Sequence, residues 1–134
     1  MPRPDARISV IIPHLDDLAG LRACISCLET QTLGRDRFEI IVADNGSQSS
    51  LAEIEAAAPE ARIVRVAERG AGPARNGGVA QSRHDVLAFT DSDCRPASTW
   101  LEAGLRALAS ADIIGGAVSV SVPDPARPTP SEAF

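Results

Sequence analysis

Val86-Leu87-Ala88-Phe89-Thr90-Asp91-Ser92-Asp93 runs from a short apolar stretch straight into two carboxylates one residue apart. The apolar half has the length and composition of a buried strand, so the acidic half must sit at that strand's carboxyl end. Two carboxylates placed this way can aim at one point. Oxygen ligands of this kind suit Mg2+ or Mn2+, and such a cation can bridge two phosphates and neutralise charge on a departing diphosphate. The plainer reading of Asp91-Ser92-Asp93 is a solvated turn that caps the next helix, predicted from about Pro96 to Ala109.

Working outward, the same strand-then-polar-cluster arrangement recurs three times upstream. Ile8 to Ile12 is an apolar, β-branched run that Pro13 is expected to end, and Pro13-His14-Leu15-Asp16 follows it. Phe38 to Ala43 is a second strand, closed by the turn chemistry of Asp44-Asn45-Gly46-Ser47. Ile63 to Val66 is a third, and a small, flexible segment from Gly70 to Gly78 follows it, carrying Arg75 as a partner for phosphate or base. Between these strands lie helical patterns: Asp16 to Gln31 with Asp16 or Asp17 as N-cap, a short helix through Ala58 capped by Ser49 or Ser50, and one with Pro73 in its first turn running to about Ser82. Ile113 to Val122 reads as a fifth extended segment, interrupted by Gly115-Gly116. Strands and helices that alternate, with strands reading as continuous apolar runs, predict a mostly parallel sheet covered on both faces, a three-layer α/β/α fold of Rossmann-like type. All four polar clusters then share the carboxyl edge of the sheet, where open α/β sheets carry their ligand crevice.

Composition narrows the ligand. The 134 residues are one domain by length, and 44% of them are hydrophobic, enough for a core. Aromatic residues make up 3%, with no Tyr, which leaves no stacking platform for nucleic acid. A net charge of -5 opposes binding any polyanion through bulk electrostatics, so a phosphate-bearing ligand needs a cation, backbone N–H groups or a well-placed Arg. The three cysteines, Cys24, Cys27 and Cys94, suggest no disulfide framework and fit a reducing compartment, so a cytoplasmic location is expected, with membrane association reserved for a longer form of the chain. Cys24 and Cys27 fall mid-helix, where nothing lowers a thiol pKa, and read as packing residues. The segment from Pro123 to Pro130 holds four prolines and is read as a linker, a crossing loop or a frayed end.

These motifs together resemble the family 2 glycosyltransferases of the GT-A fold. Ile8-Ser-Val-Ile-Ile-Pro13 resembles the family's opening strand, and Cys27-Leu28 with Gln31-Thr32 the end of its first helix. Glu39-Ile-Ile-Val-Ala-Asp44-Asn-Gly-Ser47 resembles its second strand and nucleotide-contacting turn, and Gly72-Pro-Ala-Arg75-Asn76-Gly77 its Gly-x-x-x-Arg-Asn segment. Phe89-Thr-Asp91-Ser-Asp93-Cys-Arg-Pro96, then Trp100-Leu101, resembles its metal-binding Asp-x-Asp and the helix beyond. The resemblance implies that residues 1–122 are the nucleotide-sugar-binding part and that 123–134 are a Pro-rich tail or the start of an acceptor-binding part. It implies that Pro13 and Asp16 line the base site, that Asp44 and Asn45 contact the nucleoside, and that Arg75 lies near the base or diphosphate. Asp91 would flank the ribose and metal and Asp93 would be the direct metal ligand, with Ser92 among the substrate-binding residues. The reaction implied is transfer of a sugar from a nucleoside-diphosphate sugar to a hydroxyl, with inversion, assisted by Mg2+ or Mn2+. The carboxylate base that inversion needs is expected beyond Phe134, which makes a non-catalytic nucleotide-sugar-binding module the alternative. The chain is therefore expected to be part of a longer one, and an exposed sheet face or edge is expected to invite self-association.

Other classes fit less well. No Gly-x-Gly-x-x-Gly follows the first strand, as a dinucleotide-binding dehydrogenase would require, and there is no P-loop. A phosphotransferase using Asp91 or Asp93 as nucleophile would usually carry its Asp-x-Asp after the first strand rather than the fourth.

Overall fold

The computed structural model describes residues 5–119. Its elements alternate as the apolar runs predict: β1 (Ile8–His14), α1 (Leu18–Glu29), β2 (Phe38–Asp44), α2 (Leu51–Ala57), β3 (Arg62–Arg65), α3 (Ala71–Ala80), β4 (Val86–Phe89) and α4 (Trp100–Ala107), with a short 3-10 turn, Arg35–Arg37, before β2. The four strands form one sheet in the order β3-β2-β1-β4, all parallel. The chain therefore builds outward from β1 through β2 to β3 and then returns to the far side of β1. This reversal places the switch point between β1 and β4.

β1 and β2 are buried almost throughout because both of their faces are covered. On one face, Val10, Ile12, Ile40 and Val42 pack with Leu21, Cys24, Ile25 and Leu28 of α1, Ile54 and Ala57 of α2, and Leu101 of α4. On the other face α3 comes unusually close. A Cβ at Gly78 would lie 2.6 Å from Cγ2 of the fully buried Ile11, and one at Gly77 would lie 2.5 Å from Cγ2 of Val66. The glycine pair that looks costly in a helix is what lets α3 lie down on β1. Gly78→Ala is expected to destabilise the fold by about 1–2 kcal/mol, overpacking outweighing the gain in helix propensity. Gly72→Ala, where nothing lies within 4 Å of the new methyl, is expected to be neutral or stabilising. Thermal melts should show Gly78→Ala lowered and Gly72→Ala unchanged or raised.

Besides shifts of a residue or two at several ends, three departures from expectation stand out, and the first two have a local cause. β1 does not stop at Pro13 but runs through it to His14, with Pro13 opposite Ala43 of β2. The β4 ladder reaches only Ile11, so from Ile12 onward β1 is an edge on that side and tolerates a residue without an N–H. α4 starts at Trp100 rather than near Pro96. The carbonyls of Ala97 and Ser98 are taken by Gln31 Nε2 at 2.7 Å and by the Thr32 N–H at 2.8 Å, and Gln31 Oε1 then accepts from the Leu101 N–H. Third, residues 113–119 form no strand and lie exposed, so the predicted fifth extended segment is not part of the described sheet; the remainder of that stretch and of the proline-rich segment lies outside the described residues.

Asp17, not Asp16, caps α1, its Oδ1 accepting from the Gly20 N–H at 3.0 Å. Ser50 caps α2 in a capping box with Glu53. Burial pushes the Cys24 thiol up to about 12, which removes it from thiolate chemistry. No helix among the described residues is long and apolar enough to cross a membrane.

Candidate functional site

Because the sheet is parallel, the loops after all four strands open on one edge. They enclose an open pocket of about 800 Å³ lined by Pro13 to Asp17, Asn45, Gly46, Gln48, Val66, Ala67, Arg69 to Ala71, Arg75 and Asp91 to Asp93. Of the residues expected to form the site, Pro13, Asp16, Asn45, Arg75, Asp91, Ser92 and Asp93 all line this pocket.

Asp44 does not. Its side chain is fully buried beneath the pocket against an equally buried His14. Oδ1 accepts from His14 Nδ1 at 2.9 Å and from the Ser47 hydroxyl at 2.6 Å, and Oδ2 accepts from the Ser47 N–H at 3.2 Å. The His14 ring is oriented by its other nitrogen: Nε2 accepts from the Asp17 N–H at 3.0 Å, which puts the ring proton on Nδ1, facing Asp44. Ser47 Oγ in turn accepts from the Asp16 N–H at 2.8 Å, and Asp16 Oδ1 accepts from the Gln48 N–H at 2.7 Å. Asp16 is held at φ 49°, a left-handed conformation rare outside glycine, which Asp tolerates better than most residues. The His14–Asp44–Ser47 cluster thus fixes the β1–α1 loop against the β2–α2 loop from below. Burial raises the Asp44 pKa, but the hydrogen bonds from Ser47 and His14 outweigh it, and the carboxyl is held below its ordinary range.

Asn45 works sideways. Its Nδ2 donates to the carbonyls of Val66 at 3.1 Å and Glu68 at 2.5 Å, and its Oδ1 accepts from the Gly70 N–H at 2.7 Å. The Asn45 side chain therefore ties the β2–α2 loop to the loop between β3 and α3.

At the β4 end, Asp91, Asp93 and Cys94 each offer a ligand atom, and these atoms all lie within 4.8 Å of one another. Asp91 Oδ1 also pairs with Arg75 Nη2 at 3.1 Å, so α3 delivers a guanidinium to the acidic turn. Ser92 Oγ donates to Asp17 Oδ2 at 3.4 Å, linking this turn to the α1 cap. The donor set of two adjacent carboxylates matches a hard divalent cation, and the neighbouring thiol would suit Mn2+ better than Mg2+.

Sequence reasoning missed Leu15, Gln48 and Arg69, all exposed pocket-lining side chains. Residues in loops carry no periodicity to mark them. The one available signal was position, since each lies within a few residues of a strand's carboxyl end.

Comparison with known proteins gives a consistent picture. A model of the family described as glycosyl transferase family 2 matches residues 9–133. The glycosyltransferase AglE of Haloferax volcanii is 33% identical over 124 residues, a match covering 87% of this chain and 41% of that protein. The mannosyltransferase PcManGT of Pyrobaculum calidifontis, solved in complex with GDP-Man and Mn2+, shares the fold with a TM-score of 0.69 at 25% identity, covering 91% of this chain and 38% of that one. Glucosyl-3-phosphoglycerate synthase of Mycobacterium tuberculosis, solved in complex with Mn2+, UDP and glucosyl-3-phosphoglycerate, gives a TM-score of 0.62 at 25% identity over 78% of this chain and 40% of that one. The chain spans about two fifths of the length of these relatives.

Proposed function

The chain belongs to glycosyl transferase family 2, and we propose that its pocket holds a nucleoside-diphosphate sugar through a divalent cation, Mn2+ or Mg2+, as the donor half of a glycosyltransferase. The observation that carries this reading is the meeting, in one pocket, of Asp91 and Asp93 with Arg75 and the loops after β1, β2 and β3. Asp93 and Asp91 are the residues that would hold the cation, and when bound it would supply charge neutralisation for the diphosphate. Arg75, drawn to this end by Asp91, adds a second positive group where a chain of net charge -5 otherwise repels an anion.

In the reaction we propose, an acceptor hydroxyl attacks the anomeric carbon from the side opposite the diphosphate, whose bond to that carbon breaks, so configuration inverts. The hydroxyl proton must pass to a carboxylate base. The carboxylates around the described pocket have other work: Asp17 caps α1, Asp16 orders the Gln48 turn, and Asp91 and Asp93 form the cation site. We therefore assign the base to a segment outside residues 5–119. The free thiols of Cys24, Cys27 and Cys94 favour a reducing compartment, the cytoplasm.

Calorimetric titration with GDP and UDP in the presence of Mn2+ tests the reading. Saturable binding that disappears on adding a chelator is the expected result. No binding of either diphosphate, or equal binding with and without the cation, would overturn it.

A further inference from the structure

We infer that Arg69 is a specificity-determining residue at the base end of the pocket, selecting bases that present a carbonyl oxygen rather than an amino group. This rests on the donor-site reading above. Four observations lead to it.

The first is the strand order. Asp91 and Asp93 follow β4, whereas Arg69 follows β3, at the opposite edge of the sheet. Three strand spacings, about 14 Å, separate β3 from β4, and Arg69 comes directly after β3, before the α3 helix that carries Arg75 back to Asp91. A ligand whose diphosphate lies at the acidic turn must extend its base toward the loops after β2 and β3.

The second is the state of the guanidinium groups. Two arginines line the pocket, Arg69 and Arg75. Arg75 is engaged by Asp91. Arg69 is exposed and makes no hydrogen bond or ion pair among the described residues. A cation left unpaired inside the pocket of an acidic chain does nothing for the fold.

The third is the clamp on its loop. Asn45 bonds Val66 O, Glu68 O and the Gly70 N–H, residues that bracket Arg69 on both sides. Gly70, at φ 118°, completes the turn in a conformation a side chain would strain. The backbone that carries Arg69 is therefore held in place, while its side chain is free to meet a ligand.

The fourth follows from counting donors. Both amide hydrogens of Asn45 are committed to carbonyls, so Asn45 has no donor left for a base. Arg69 supplies the donors instead, and it has no acceptor to offer. A donor-only guanidinium favours O6 and N7 of guanine, or O4 of uracil, over the amino groups that adenine and cytosine present at the same positions.

The test is a four-nucleotide panel, GDP, UDP, ADP and CDP, titrated with Mn2+ into the whole chain and into Arg69→Gln. The expected result is that the wild-type chain binds at least one keto-base diphosphate tenfold or more tighter than its amino counterpart. Arg69→Gln should reduce that ratio to within about threefold at an unchanged melting temperature. Asn45→Asp, which sets a carboxylate against two carbonyls, should reduce the ratio similarly, and the double variant should lose no more than either single one. An unchanged ratio in Arg69→Gln overturns the inference, as does an equal loss for all four nucleotides, which would mark Arg69 as a phosphate contact. Either result leaves the donor-site reading standing. Failure of the wild-type chain to bind any of the four removes that reading, and this inference with it.

Discussion

Alanine in place of Asp93 is expected to weaken Mn2+-dependent nucleoside diphosphate binding by a hundredfold or more, about 2.7 kcal/mol, with the melting temperature unmoved. The two halves of this expectation have separate grounds. Asp93 is exposed, and its one described contact is a weak one, Cys94 Sγ at 3.8 Å from Oδ1, so its removal should leave the fold untouched. If it is the direct ligand of the cation, its loss leaves a single adjacent carboxylate, and the diphosphate loses its counter-charge. Asp91→Asn should be less clear-cut, because it also releases Arg75. The 3.1 Å pair it breaks is between side chains 40% and 48% exposed, so its structural worth is below about 1 kcal/mol, and the freed guanidinium is left to the phosphates. Isothermal titration alongside a thermal melt separates the two residues. Undiminished Mn2+-dependent binding by Asp93→Ala would remove Asp93 from the cation site.

The second large effect lies beneath the pocket. Asp44→Ala is expected to cost about 3–5 kcal/mol, because it leaves the buried Nδ1–H of His14 and both donors of Ser47 without their partner. For a domain of this size that corresponds to a fall in melting temperature of more than ten degrees. Asp44→Asn keeps an acceptor for His14 and the Ser47 hydroxyl but turns an amide toward the Ser47 N–H, and should cost clearly less. The same carboxylate sets an acid limit. A carboxyl whose native pKa is depressed stabilises the fold fully above its unfolded value and loses that contribution as pH falls through the native one. Asp44 is held below its ordinary 3.8. Glu39, at the other end of β2, is held below its ordinary 4.5 by hydrogen bonds from Ser9, the Arg83 N–H and Arg62, which outweigh its burial. Stability should therefore be flat in these groups above about pH 5 and decline progressively below 4.5. Asp44→Asn should show the shallower decline. A denaturation series from pH 6 to 3 reads the slope directly, and an identical slope in the variant would discount Asp44 as a contributor.

Much of this architecture can be read from the chain because its strands announce themselves locally. Ile8 to Ile12 and Phe38 to Ala43 are buried on both faces, so they carry no alternation to mistake for a helix, and their ends are marked by Pro, Asp, Asn and Gly. The convergence of loops follows from parallel strands alone, and that is why Asp91, Asp93 and Arg75 could be placed at one rim. What could not be read depends on contacts between residues far apart in the chain. His14 taken alone carries no information; its meaning comes from Asp44, thirty residues on, and from the Asp17 N–H. Asn45 reads equally well as a base contact or a turn residue, and only the Val66 and Glu68 carbonyls show where its amide is spent. α4 starts at Trp100 rather than near Pro96 because Gln31, from another part of the chain, takes the Ala97 carbonyl that a helix beginning at Pro96 would use.

The division between a buried lock and an exposed rim has a consequence for evolvability. His14, Asp44 and Ser47 lock the β1–α1 and β2–α2 loops from underneath and Asn45 ties down the β3–α3 loop, while the side chains of Leu15, Gln48 and Arg69 project from these three loops into solvent. If the pocket takes the proposed donor, side chains at those three positions can change ligand preference without disturbing the packing that holds the loops. Changes at 14, 44 or 47 instead draw on the stability of the fold, because each breaks the buried hydrogen bonds among His14, Asp44 and Ser47.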